Sequence, residues 1–184
     1  MLLKNKIENL KTIIKPNNVL LKQEERYCYA EDSANINKLI GLPDAVVFVE
    51  TVEDVQKIVK YASKNNLPII SRGAGTNMVG ACTCPKGGIV LNFSKMNKII
   101  DFNTEDMTMN VEPGVTLGTI KDLASKENLF YPPDPSNYKV STIGGSIALS
   151  SGGAKAFKYG TTKDYILSLK VVMADGSIVT FGSG

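Results

Sequence analysis

Two glycine-rich stretches hold residue types that can bind an anion. The first is Ser71-Arg-Gly-Ala-Gly-Thr-Asn77. The second begins at Pro132-Pro-Asp-Pro-Ser136 and runs through Ser141-Thr-Ile-Gly-Gly145 to Ser151-Gly-Gly153. Glycine lets a backbone approach a ligand closely, and successive N–H groups in a turn can point at negative charge. The stretches lie about 65 residues apart, and ordinary turn chemistry does not call for such a pair. Together they read as two walls of one phosphate cradle.

Other chemistries are closed off by composition. The chain of 184 residues contains no histidine. That removes Ser-His-Asp and Cys-His catalysis, most zinc sites and any His-based proton abstraction from within this chain. Its three cysteines are Cys28, Cys82 and Cys84. An odd count without a framework points to a reducing compartment. Cys82-Thr-Cys84 has the wrong spacing for a Cys-x-x-Cys motif and lacks a second ligand pair, so a structural role is expected.

The formal charge is only +3, and lysines are spread along the chain. This argues against a nucleic-acid surface. The N-terminus, Met1 to Leu10, carries charges throughout and has no apolar signal-peptide region. No run reaches the length of a membrane span. A cytoplasmic protein is expected, with room for one large domain or two small lobes.

The cradle needs elements to hold it. Residues 2–14 read as a helix, with Leu3, Ile7, Leu10 and Ile14 on one face, and an irregular segment follows to about residue 44. Ala45 to Val49 reads as a strand. Thr51-Val-Glu-Asp54 starts a helix as a capping-box variant, with Val52, Val55, Ile58, Val59 and Ala62 as its buried stripe, and Asn65-Asn66 ends it. Leu67 to Ile70 is the next strand and leads into the first glycine loop. This is a β-α-β unit, which implies parallel strands. Strands are also expected at 88–92, 98–101 and 107–111, the last with Met107, Met109 and Val111 half-buried. Thr116 caps a second helix with Leu117, Ile120, Leu123 and Ala124 inward. Asp175-Gly176, between apolar runs at 165–173 and 177–181, signals a hairpin.

Two familiar nucleotide loops do not fit. Gly73-Ala-Gly75 is followed by Gly80 rather than by a glycine three residues on. Ala81-Cys-Thr-Cys-Pro85 does not start a helix, and no acidic residue stands where a Rossmann site needs one. A Walker loop is ruled out because no Gly-Lys-Ser/Thr occurs.

Taken in order, the motifs resemble those of a known family. They are Leu42-Pro-Asp-Ala-Val-Val47, Thr51-Val-Glu-Asp-Val55, Arg72-Gly-Ala-Gly-Thr-Asn77, Val111-Glu-Pro-Gly-Val115, Tyr131-Pro-Pro-Asp-Pro-Ser136, Thr142-Ile-Gly-Gly145, Gly152-Gly153, Lys158-Tyr-Gly160 and Lys170-Val-Val-Met-Ala-Asp-Gly176. The set is similar to the FAD-binding domain of the family that includes vanillyl-alcohol oxidase and para-cresol methylhydroxylase. The match is closest to the branch of glycolate oxidase and FAD-linked D-lactate dehydrogenase. The resemblance covers roughly residues 42–184. It implies an α+β, two-lobed FAD-binding domain, with a small N-terminal lobe containing the βαβ unit and a larger mixed β-sheet lobe flanked by helices. The expected parts are an N-terminal segment at 1–43, a first lobe at 44–102 and a second lobe at 103–184. The family's substrate-binding cap domain lies outside this sequence.

The resemblance also implies site residues. Arg72, Gly73, Ala74, Gly75, Thr76 and Asn77, with Gly80 and Ala81, would wrap the FAD diphosphate through backbone N–H groups. Pro133, Asp134 and Ser136 would lie along the ribityl and isoalloxazine part. Thr142, Gly144, Gly145 and Ala148 would pack on the diphosphate and ring, and Gly152, Gly153, Tyr159 and Gly160 would complete the pocket. Many relatives attach flavin through a histidine in the first loop, where this chain reads Gly75-Thr-Asn77. Non-covalent FAD is therefore expected, since a cysteinyl link through Cys82 or Cys84 would need a lowered thiol pKa. Ser150 and Ser151 stand where this branch usually has Asn-Ala, and a hydroxyl there can replace the amide contact.

The implied activity is that of a longer enzyme, of which this chain would be the N-terminal part. That enzyme would oxidise a D-2-hydroxy acid such as lactate or glycolate and pass electrons to a quinone, an electron-transfer flavoprotein or an iron–sulfur protein. No catalytic residue and no metal ligand is assigned to this chain. The alternatives are another flavin oxidoreductase on the same domain, such as a UDP-N-acetylenolpyruvoylglucosamine reductase, a non-catalytic FAD-binding module, or a structural domain without flavin.

Overall fold

The computed structural model describes residues 2–33 and 41–183. The N-terminal helix is interrupted. It forms α1, Leu2–Glu8, and α2, Leu10–Ile13, with Asn9 between them. Ile7, Leu10 and Ile14 are buried as expected, but Leu3 is half exposed. The partner helix ends at Asn65. Lys6 Nζ donates to the Asn65 carbonyl at 3.1 Å, and Tyr61 Oη donates to the Lys6 carbonyl at 2.8 Å.

The stretch read as irregular contains short elements: strand β1, Val19–Leu20, and helix α3, Gln23–Arg26. A two-residue strand carries too little periodicity to be legible. The rest of that stretch, 34–40, lies outside the described residues.

Strand β2, Ala45–Phe48, leads into helix α4, Val52–Asn65. Thr51 caps it, its Oγ1 accepting from the Asp54 N–H at 3.1 Å, while the Asp54 carboxylate accepts from the Glu50 N–H at 3.2 Å. Val55, Ile58 and Ala62 are buried, and Val52 and Val59 pack against them. Asn66, with φ 55°, ends the helix. Strand β3 runs from Ile69 to Arg72, two residues later than the sequence suggested. The Leu67 N–H still bonds back to Ala62 at 2.9 Å, and Pro68 has no N–H to give a ladder. Strand β4, Ile89–Asn92, pairs parallel with both β2 and β3, so the sheet order is β1-β2-β4-β3. The β-α-β unit is parallel as expected, with β4 inserted between its two strands.

The sheet packs on both faces. On one, Val47, Ile89 and Leu91 meet Leu10, Ile58 and Ala62; on the other, Val46, Val90 and Cys84 meet Tyr29 and Ile70. Strands β5, Ile99–Asn103, and β6, Thr108–Val111, form an antiparallel pair. Met107 is a correction: it sits in the turn with φ 54° and is 71% exposed, so only Met109 and Val111 face the core. Helix α5, Leu117–Lys126, is capped by Thr116, whose Oγ1 accepts from the Thr119 N–H at 3.1 Å. Leu117, Ile120 and Ala124 are buried.

Two further helices, α6 (Ile143–Ala148) and α7 (Ala156–Tyr159), were not anticipated. Glycine has low helix propensity, and α6 is held by its neighbours instead. Strands β7, Ser168–Val172, and β8, Ile178–Gly182, make the expected hairpin. The run from Tyr165 starts later as a strand, because Thr162–Tyr165 is a 3-10 turn in which the Asp164 carboxylate accepts from the Thr161 N–H at 2.7 Å.

Candidate functional site

The first wall begins where β3 ends. Arg72 is the last residue of that strand and is buried. Its guanidinium donates to the Glu31 carbonyl at 2.7 Å and stacks 5.5 Å from the Tyr29 ring centroid. It lies beneath the loop, against Gly75. Asn77 shapes the loop from within. Its Oδ1 accepts from the N–H groups of Val79 and Ala81, both at 3.1 Å, and its Nδ2 donates to Cys82 Sγ at 3.1 Å. The Gly80 carbonyl accepts from Thr83 at the loop's far end. The N–H groups of Gly73, Ala74, Gly75, Thr76, Asn77 and Met78 have no acceptor among the described residues. A run of such amides in a turn can receive an anion.

The second wall is the start of α6. The N–H groups of Ile143 and Gly144 are used by the carbonyls of Val115 and Pro113, at 2.8 and 2.9 Å. The Gly145 N–H has no acceptor among the described residues. Gly145 and Ala148 are exposed. A Cβ on Gly144 would press on Pro113, so that glycine serves packing. A Cβ on Gly145 would meet only Thr142 Oγ1, at 3.3 Å, and otherwise open space. A glycine that its own protein does not require fits a surface meant for close approach by something else.

The walls meet directly. A Cβ on Gly73 would overlap Thr142 Oγ1. Thr76 Oγ1 lies 3.2 Å from Ser141 Oγ. Asn137 Nδ2 donates to the Thr76 carbonyl at 3.1 Å, and Asn137 Oδ1 accepts from Ser141 Oγ at 2.6 Å. Beside this seam is a cleft of about 260 Å³, lined by Ala74, Ser94, Thr116, Thr119, Val140 and Thr142.

The Pro132–Ser136 run forms a third side. Pro132 and Pro133 are buried, and Ser136 is exposed. The Asp134 N–H donates to the Gly152 carbonyl at 3.1 Å, and Asp134 bridges to Gly153. The Asp134 carboxylate is taken by Lys121 Nζ at 2.6 Å and faces Lys155 Nζ at 3.4 Å. The hydrogen bond from Lys121, with the charge of both lysines, holds that carboxyl below its ordinary value. Ser150 Oγ lies 2.9 Å from Thr161 Oγ1, and the Ser151 carbonyl accepts from Thr162. Gly152 packs on Ala156, and Gly160 on Asp164. Tyr159 stands edge-on to Phe130, ring centroids 5.6 Å apart, and its carbonyl accepts from Tyr165 Oη at 2.5 Å.

The structure thus brings Gly73 against Thr142, Thr76 against Asn137 and Ser141, and Asp134 against Gly152 and Gly153. The cross-wall residues Asn137 and Ser141, and the lysines on Asp134, escaped the sequence reading. Loop polar residues have no period to betray them, and only their place beside the motifs hinted at them.

The FAD binding domain family matches residues 43–182. The chain belongs to that family. It is homologous to glycolate oxidase subunit GlcD of Bacillus subtilis (strain 168), 41% identical over 184 residues, covering 99% of this chain and 38% of that one. D-lactate dehydrogenase of Anaerostipes hadrus is 35% identical over 177 residues, covering 96% and 37%. The chain thus spans under two fifths of the length of these relatives. Among solved structures, p-cresol methylhydroxylase matches with a TM-score of 0.81 and 25% identity over 97% of this chain and 35% of that chain. Alkyldihydroxyacetonephosphate synthase matches with 0.83 and 24% identity, over 98% and 38%. The expected α+β fold of the vanillyl-alcohol oxidase and para-cresol methylhydroxylase type is the fold observed.

Proposed function

We propose that this chain is the FAD-holding part of a flavin-dependent D-2-hydroxy acid dehydrogenase or oxidase. The observation that carries the reading is the run of amides from Gly73 to Met78 with no acceptor among the described residues, in a loop that meets, through Thr142 and Ser141, the wall that carries Gly145. The chemistry of FAD, when bound, is acceptance of a hydride from the substrate Cα. This chain's part is to hold the cofactor. The loop amides of Gly73 to Asn77, with Gly80 at the loop's end, would take the diphosphate, and the Gly145 N–H would add a donor from the other side. Ala81 is no donor, because its N–H is spent on Asn77 Oδ1. Thr142, Gly144 and Ala148 set the surface of that second wall. Pro133, Asp134, Ser136, Gly152, Gly153, Tyr159 and Gly160 frame the remaining length of the cofactor.

The attachment is non-covalent in this reading. The chain has no histidine. Burial raises the Cys82 thiol and pushes Cys84 up to about 11, the opposite of what a reactive thiolate needs. The names that relatives bear, among them D-lactate dehydrogenase, D-2-hydroxyglutarate dehydrogenase and a glycolate oxidase component, support a 2-hydroxy acid substrate. The base and the carboxylate clamp would come from the rest of a longer protein. Electrons would leave to a quinone, an electron-transfer flavoprotein or an iron–sulfur protein.

The test is a titration of the purified chain with FAD, followed by flavin absorbance and fluorescence, beside a Gly145→Val variant. Saturable binding that the folded variant loses supports the reading. Absence of binding by both the folded chain and the full-length protein overturns it. Turnover of D-lactate or glycolate by the full-length protein tests the substrate class.

A further inference from the structure

We propose that Asn137 is a positioning residue for the cofactor site, its amide clasping the two glycine walls and setting the gap between them. The proposal rests on the FAD reading for what fills the gap, but not for the clasp itself. Among the described residues, the hydrogen bonds from the 73–81 loop to the second wall run through Asn137 and Ser141 alone. The other bonds of that loop point elsewhere. Asn77 serves its own loop, and the Gly75 carbonyl accepts from the Ser33 N–H at 3.1 Å, on the N-terminal side.

Asparagine suits the position for a chemical reason. The clasp needs a donor toward the Thr76 carbonyl, 3.1 Å away, and an acceptor for Ser141 Oγ, 2.6 Å away, on one short planar group. An ionised aspartate supplies only acceptors, and it would set a charge against the Thr76 carbonyl. The backbone of Asn137 is anchored separately, because its carbonyl accepts the N–H groups of Val140 and Ser141 at 3.0 and 2.9 Å. Changing the side chain therefore leaves the local turn its own bonds.

The consequence is geometric. The first wall offers amides from Gly73 to Met78, and the second offers Gly145. Amides bind an anion well only when preorganised around it. Losing the clasp leaves the first wall held to the second by the Thr76–Ser141 hydroxyl contact and the Gly73–Thr142 packing alone, so the two sets of donors converge less firmly.

The test compares the wild-type chain with Asn137→Ala and Asn137→Asp. It reads the melting temperature without FAD, amide hydrogen exchange at Val79 and Ala81 without FAD, and the FAD dissociation constant. For Asn137→Ala the expected result is a near-unchanged melting temperature, exchange faster by at least about tenfold, and FAD binding weaker by at least about tenfold. Asn137→Asp should bind FAD about as poorly as Asn137→Ala at about pH 8, where its carboxylate offers acceptors alone. Faster exchange in a wild-type background that binds no FAD would keep the clasp and sink the flavin reading. Unchanged exchange, or unchanged FAD affinity in a folded variant of a protein that binds FAD, overturns the positioning role. If Asn137→Ala does not fold, Asn137→Asp decides: wild-type FAD affinity in that folded variant at about pH 8 also overturns it.

Discussion

Gly73 and Thr142 touch so closely that a Cβ on Gly73 would overlap Thr142 Oγ1. Residues remote in sequence thus form one seam between the two glycine stretches. Gly73→Ala should force the walls apart, costing about 1–3 kcal/mol of stability and weakening FAD binding. Thr142→Ala removes the overlapped hydroxyl and should restore part of both losses in the double variant. A double-mutant cycle on denaturant unfolding and FAD affinity measures this coupling, and strict additivity would contradict it.

Gly145 and Gly153 should behave in opposite ways. Gly145→Ala adds a methyl that meets only Thr142 Oγ1, at 3.3 Å, and removes a glycine from a helix. Its unfolding free energy without FAD should stay level or rise by up to about 1 kcal/mol, while FAD affinity falls. Gly153 has φ 124°, and its missing Cβ would overlap the Asp134 carbonyl. Gly153→Ala should destabilise the protein itself by about 1–3 kcal/mol or more. Paired thermal melts with and without FAD distinguish the two.

The Lys121–Asp134–Lys155 cluster predicts a pH dependence. The folded Asp134 carboxyl lies below its ordinary value because Lys121 hydrogen-bonds to it and both lysines charge it favourably. Its stabilisation is present above the unfolded value near about 3.9 and is lost as pH falls through the lower folded value. Asp134→Asn should therefore cost about 1 kcal/mol at neutral pH. The gap from wild type should close as the pH drops below about 4. Urea unfolding at the two pH values checks the sign.

Thiol reactivity follows burial. Cys28 is exposed, whereas Cys82 and Cys84 are buried and their thiols are raised by desolvation. A disulfide reagent at mildly alkaline pH should titrate one thiol quickly in the native protein and all three after unfolding. Fast reaction of Cys82 in the native state would contradict the packing around Asn77.

Much was legible in the residues themselves. Periodicity placed α4 and its buried stripe, Thr51 and Thr116 announced their helices, and Asp175-Gly176 announced the hairpin, because each is a local preference of a few adjacent residues. The glycine loops, too, stood out as a pair. Met107 escaped because alternation cannot tell a strand residue from the turn just before it. Helix α6 escaped because Ile143 and Gly144 spend their N–H groups on Val115 and Pro113, partners that lie far back in the chain.

The role of each glycine was likewise beyond the sequence. Gly73, Gly144, Gly145 and Gly153 are one letter in a string, yet a neighbour's hydroxyl, a proline, mostly open space and a carbonyl stand where their side chains would be. The sequence by itself determined the capped and strongly periodic elements and singled out the two glycine stretches. Only the tertiary structure decided how the cradle is closed, through Asn137, Ser141 and Thr142, and that Asp134 belongs to two lysines. Hydrogen bonds and steric contacts act over a few ångströms in space, and chain distance does not register in them.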